Sequence, residues 1–186
     1  MSESPEQTET DEAQQAEGGY KTYALWILLA VVVVGLDQVS KLAIIRWVDL
    51  YQKVEITSFF NITHQQNTGA AFSFLANAGG WQRWFFAALA TVVSAVLAVW
   101  LYRLRTTGQW VLSAGLALVL GGAVGNLIDR IRLGYVTDFI QVIIVNWPFP
   151  SFNVADAAIS VGAALLIIDA LFYSGKADAG DAPANS

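Results

Sequence analysis

Four mostly apolar stretches alternate with polar connections along this chain, over residues 23–45, 81–101, 109–128 and 153–173. Each is long enough to cross a bilayer as an α-helix, which takes about 20 residues. Aromatic side chains stand near most of their ends, among them Tyr23, Trp26, Trp81, Trp100, Trp110 and Tyr173. Trp and Tyr favour the membrane–water boundary, so the ends agree with the spans. An even number of crossings puts both termini on one side. The connections differ in kind. "YRLRTTG", between the second and third spans, is short and basic. The connection from Arg46 to Gly80 is long and holds the β-branched and aromatic run "VEITSFFNIT", which predicts short strands. The predicted fold class is an all-α polytopic membrane protein: four transmembrane helices with a small β-rich platform between helices 1 and 2.

Composition supports this class. The chain has 186 residues, 55% hydrophobic and only 13% charged, and its mean hydropathy is +0.50. Soluble domains are usually about a quarter charged. The net charge of −5 belongs to the first segment, where Glu3, Glu6, Glu9, Asp11, Glu12 and Glu17 meet no Lys or Arg. Residues 1–20 have too little apolar surface to offset chain entropy and are expected to form a disordered acidic tail. A second disordered tail is expected over 175–186, leaving 21–174 as the membrane domain. The first segment has no basic n-region, so the first span is expected to be retained. Nothing suggests nucleic-acid binding. Absence of cysteine removes disulfides and thiolate metal sites, and His64 is the one histidine. No cofactor is expected.

Polar residues gather where a four-span topology predicts one shared face. Asp37 and Lys41 end span one, Asn67 follows in the loop, and Asn126, Asp129, Arg130 and Asp138 follow span three. Asn153 and Asp156 open span four. Ionisable groups in a span cost about 2.5–3.5 kcal/mol each on insertion scales, so they tend to be paired or functional. Asp37 and Lys41 have the i, i+4 spacing of a helical ion pair. Asn153 and Asp156 have the spacing of an N-cap with an acid in the first turn. Asn126, Asp129 and Arg130 share a helix face, with Arg130 the expected partner of Asp129. Asp138 has no base beside it. Pro148 and Pro150 stop any helix there, so the chain turns back and can bring Asp156 toward Asp138. Two neighbouring carboxylates share a proton, and one ionised and one protonated acid suffice to activate water against a peptide carbonyl. A proton path through the same acids in a small transporter is the alternative. Gly115, Gly121, Gly122 and Gly125 suit close helix packing.

Four blocks in this order, "DQVSK", "NTGAAFS", "GNLIDR…VTDF" and "FNVADAAI", resemble the lipoprotein signal peptidase (signal peptidase II) family over about residues 23–173. The resemblance implies a bacterial inner-membrane aspartic endopeptidase with cytoplasmic termini, its platform and site at the outer face. It implies cleavage of a prolipoprotein signal peptide before a diacylglyceryl-modified cysteine, with membrane lipid as the other partner. It carries the catalytic roles to Asp138 and Asp156. It carries supporting roles to Asn67, Asn126, Asp129, Arg130 and Asn153, and to the pair Asp37 and Lys41. The "GAAF" segment is expected to fold over the site.

Overall fold

The computed structural model describes residues 5–69 and 80–173. Four long helices carry the fold: α1 (Pro5–Trp47), α2 (Gln82–Arg103), α3 (Trp110–Arg132) and α4 (Val154–Phe172). All four have the length and hydropathy of membrane spans. Strands β1 (Lys53–Thr57), β2 (Phe60–Asn67), β3 (Val136–Ile144) and β4 (Trp147–Pro148) form one antiparallel sheet in the order β1-β2-β3-β4. The platform expected between the first two helices is therefore half of the sheet. Its other half, β3 and β4, comes from the connection between α3 and α4, whose continuous apolar run shows no alternation to mark a strand.

Helix α3 is the centre of the bundle, packed against α1, α2 and α4. Without a hydrophobic drive inside lipid, helices associate by close approach of small residues. A Cβ on Gly121 would meet the Ala30 carbonyl of α1 at 2.8 Å, and one on Gly115 the Gly162 carbonyl of α4 at 3.0 Å. Leu97, Leu101, Leu116, Ala117 and Leu120 fill the layer away from the sheet, with Trp26 and Ala30. Val31, Leu36, Val39 and Leu42 on α1 point outward, as lipid-facing side chains do.

Residues 5–20 continue α1. Composition measures what a segment can bury, whereas Glu, Gln and Ala are strong helix formers without burial. The 43-residue helix reaches about 65 Å at 1.5 Å per residue, well beyond a bilayer. At Gly19 it lies against the turn between α2 and α3, where a Cβ would stand 2.7 Å from Thr106. The tail expected over 175–186 and the "GAAF" segment at 70–73 lie outside the described residues.

Candidate active site

Three features of the chain bring distant side chains together. The α3 helix runs straight through to Arg132, keeping Asn126 and Asp129 on its inner face. Gly134, at φ +88°, then turns the chain into β3, which pairs with β2 so that Asp138 lies opposite Gln65. Beyond the β3–β4 hairpin, Phe152 bridges back to Ile140, exchanging hydrogen bonds of 2.8 and 3.0 Å. That bridge sets Asn153 beside Asp138 just as α4 begins.

Asn153 is the link between the two acids. Its side-chain amide donates to Asp138 Oδ1 at 2.7 Å. Its Oδ1 accepts from the Asp156 backbone at 2.9 Å, while its own backbone N–H donates to Asp156 Oδ2 at 3.3 Å. This reciprocal arrangement is a capping box, bearing out the cap expected from the spacing. Asp138 Oδ2 accepts from Asn67 at 3.0 Å, and Asp156 Oδ1 from Asn126 at 2.8 Å. Both acids are thus held by neutral amides, and both line one cavity of about 520 Å³ with Asn67, Asn126 and Arg130. Phe149, Phe152, Ile159 and Val161 give that cavity an apolar wall. Burial, and secondarily the charge of Asp156, pushes the Asp138 carboxyl up to about 7 from 3.8.

A second cluster lies directly beneath. Lys41 Nζ reaches Asp37 at 2.8 Å, Asp129 at 2.9 Å and Asn126 Oδ1 at 2.9 Å. Asp37 and Lys41 are 0% and 2% exposed, so the charges must be satisfied within the protein. The remaining carboxylate oxygens find donors. Asp37 Oδ1 accepts from the Ala155 backbone at 2.9 Å and Asp129 Oδ1 from the Gln38 amide at 3.0 Å, while Asp129 Oδ2, already on Lys41, also accepts from the Thr137 backbone at 3.2 Å. Ala155 and Thr137 are the residues immediately before Asp156 and Asp138. One lysine therefore ties together the two anchors that fix the acids above it.

The i, i+4 pair of Asp37 and Lys41 is present as its spacing indicated. The expected pairing of Asp129 with Arg130 is not. Adjacent helical residues point in different directions: Asp129 faces α1, while Arg130 donates to the Asn126 carbonyl at 3.3 Å and the Gly69 carbonyl at 3.1 Å. Gln38 was missed. Its amide donates to Asp129 Oδ1 at 3.0 Å and to the Gly125 carbonyl at 3.2 Å. Its place directly after Asp37, inside "DQVSK", was the available signal. His64 is buried on β2 with Nδ1 bonded to the Val48 carbonyl at 2.8 Å, away from the acids.

Four apolar spans, with two amide-held carboxylates in a cavity at one end, define a polytopic membrane protein with the elements of a hydrolytic site. A family model described as signal peptidase (SPase) II matches residues 29–172. The lipoprotein signal peptidase of Pseudomonas syringae pv. tomato is 56% identical over 153 residues, covering 81% of this chain and 87% of that protein. That of Yersinia pseudotuberculosis serotype O:1b is 52% identical over 144 residues, covering 77% and 85%. A solved structure described as a bacterial membrane enzyme superposes with a TM-score of 0.70 at 30% identity, covering 88% of this chain and 94% of the other. The chain belongs to the signal peptidase II family, membrane proteases that remove signal peptides from prolipoproteins.

Proposed function

We propose that this chain cuts prolipoproteins by an aspartate dyad, Asp138 and Asp156, acting on water. The carrying observation is that both acids open on one cavity and are tied to each other through Asn153. Two carboxylates so placed resist ionising together. The ionised member takes a proton from water, and the protonated member donates to the scissile carbonyl oxygen. Attack gives a tetrahedral diol. The carboxyl that took water's proton then gives it to the leaving nitrogen while the other carboxylate takes a diol proton, so the C–N bond breaks and the dyad returns to its single shared proton. Asn67, Asn126 and Asn153 hold the oxygens in place, and Arg130 borders the cavity.

The cavity's shape favours a membrane-borne peptide. Ala157, Ile159 and Val161 extend its wall along α4, giving the apolar part of a signal peptide a surface to lie on. The lipid-modified cysteine then sits past the cut, with its diacylglyceryl chains in the bilayer. Both termini face the cytoplasm and the acids work near the outer face of the inner membrane, the orientation that the family resemblance implies.

The test is processing of a diacylglyceryl-modified prolipoprotein by purified enzyme in lipid. Asp138→Asn and Asp156→Asn should each abolish cleavage while the protein remains helical and membrane-inserted. Cleavage that persists in either variant removes that residue from the dyad.

A further inference from the structure

The hairpin joining β3 to β4 carries a turn that its sequence should avoid. Ile144 pairs with Trp147, leaving Val145 and Asn146 as a two-residue loop. Both have positive φ, +47° and +63°, the geometry of a type I′ turn. Asn-Gly satisfies that geometry freely, whereas a β-branched residue is an outlier there. Val145 is also 93% exposed. Ile144 and Trp147 beside it are exposed at 54% and 75%, as is Phe59, whose carbonyl accepts from Ile143. A strained, bare valine at a hairpin tip has no merit in water.

Three further facts say what covers it. First, residues 139–155 contain no charged side chain, although an exposed sheet edge in water is normally guarded by charge. Second, β3 starts four residues after α3 ends and α4 starts six residues after β4 ends, so the hairpin springs from the level of two span ends. Third, Trp147 next to the tip is the residue type most at home at the membrane boundary. The same return strand leads into Phe149, which lines the cavity.

We propose that the β3–β4 hairpin tip, Ile144, Val145 and Trp147 with neighbouring Phe59, dips into the leaflet on the site's side and holds the cavity mouth against the lipid boundary. The occupant of this face is phospholipid. Only the four spans and the hairpin geometry enter this placement, so it stands or falls independently of the aspartate chemistry.

The natural absence of cysteine makes the test direct. Val145→Cys carries a nitroxide spin label in proteoliposomes of phosphatidylethanolamine and phosphatidylglycerol. Glu55→Cys, exposed on β1, is the aqueous control. The label at 145 should collide readily with oxygen and lose most of the access to a water-soluble nickel chelate seen at 55. Equal nickel access at both positions overturns the proposal. So does poor access to both reagents, whether with spin coupling between copies, which would make the face a dimer contact, or without it. A second measurement separates lipid contact from turn geometry. Val145→Asn suits the positive φ better but is polar, so a label on Ile144→Cys should gain nickel access in that background. No change there removes Val145 as the anchor.

Discussion

Two buried acidic clusters lie next to each other in this molecule, and they are built by opposite rules. In the lower one, Asp37 and Asp129 close on Lys41 at 2.8 and 2.9 Å, with the Ala155 and Thr137 backbone N–H groups and the Gln38 amide as further donors. In the upper one, the hydrogen-bond donors to Asp138 and Asp156 among the described residues are amides, and both acids face a cavity. The lower acids spend their oxygens on an ion pair with Lys41 and on donors that open on no cavity shared with the upper pair. Neutral donors hold the upper acids in place without fixing their charge, so a proton can come and go. Partner chemistry, more than burial, separates the two pairs of acids.

That contrast can be broken first at the cavity side. Asparagine at 138 or 156 keeps the shape and removes the acid, so activity should vanish with little loss of fold. Lys41→Met does the reverse. It leaves two buried carboxylates without their cation, and breaking a buried pair typically costs about 3–5 kcal/mol. Thermal unfolding in detergent should drop sharply, and any folded fraction should cut poorly because both anchors of the dyad have slackened. A Lys41→Met protein as stable as the parent would mean that the ion cluster is dispensable. Next in size is Gly122→Ala. The added Cβ would stand 2.4 Å from the Ala155 carbonyl, at the first turn of α4. Overpacking of this kind costs roughly 1–3 kcal/mol. Here it also displaces Asp156, so kcat should fall while affinity for the signal peptide changes less. An equal loss in kcat and KM terms would place the effect on binding instead.

What the sequence made legible follows the range of the interaction. Asp37 with Lys41 and Asn153 with Asp156 are local pairs, readable from spacings of four and three, and both are present. Spans were readable because lipid imposes length and hydropathy. The bond between Asn67 and Asp138 joins residues 71 apart and depends on strand register, which no local pattern encodes. Convergence of the acids was inferred only because an even number of spans returns alternate ends to one face. Asp129 misled the reading for a physical reason: sequence neighbours on a helix diverge, and its cation came from another helix.

The mildest test moves the proton without removing an acid. Asp138 in the folded protein titrates at about 7, against 3.8 as its ordinary value. Its carboxyl thus keeps a proton through a pH range where the unfolded chain has released it. The sign for stability follows: this group favours the fold at pH below about 4, and that contribution is lost as pH rises to about 7. Wild type should lose stability relative to Asp138→Asn across that window, read as unfolding midpoints at matched pH. The same titration sets the rate. If one shared proton drives cleavage, its departure from Asp138 gives the alkaline limb of the rate profile, near pH 7. Asn67 opposes the upward shift by donating to the ionised form at 3.0 Å. Asn67→Ala should therefore move that limb to higher pH, with the plateau rate reduced by looser positioning. A limb that stays put would show that Asn67 holds something other than the Asp138 carboxylate, and one that moves to lower pH would show that Asn67 favours the protonated form of Asp138.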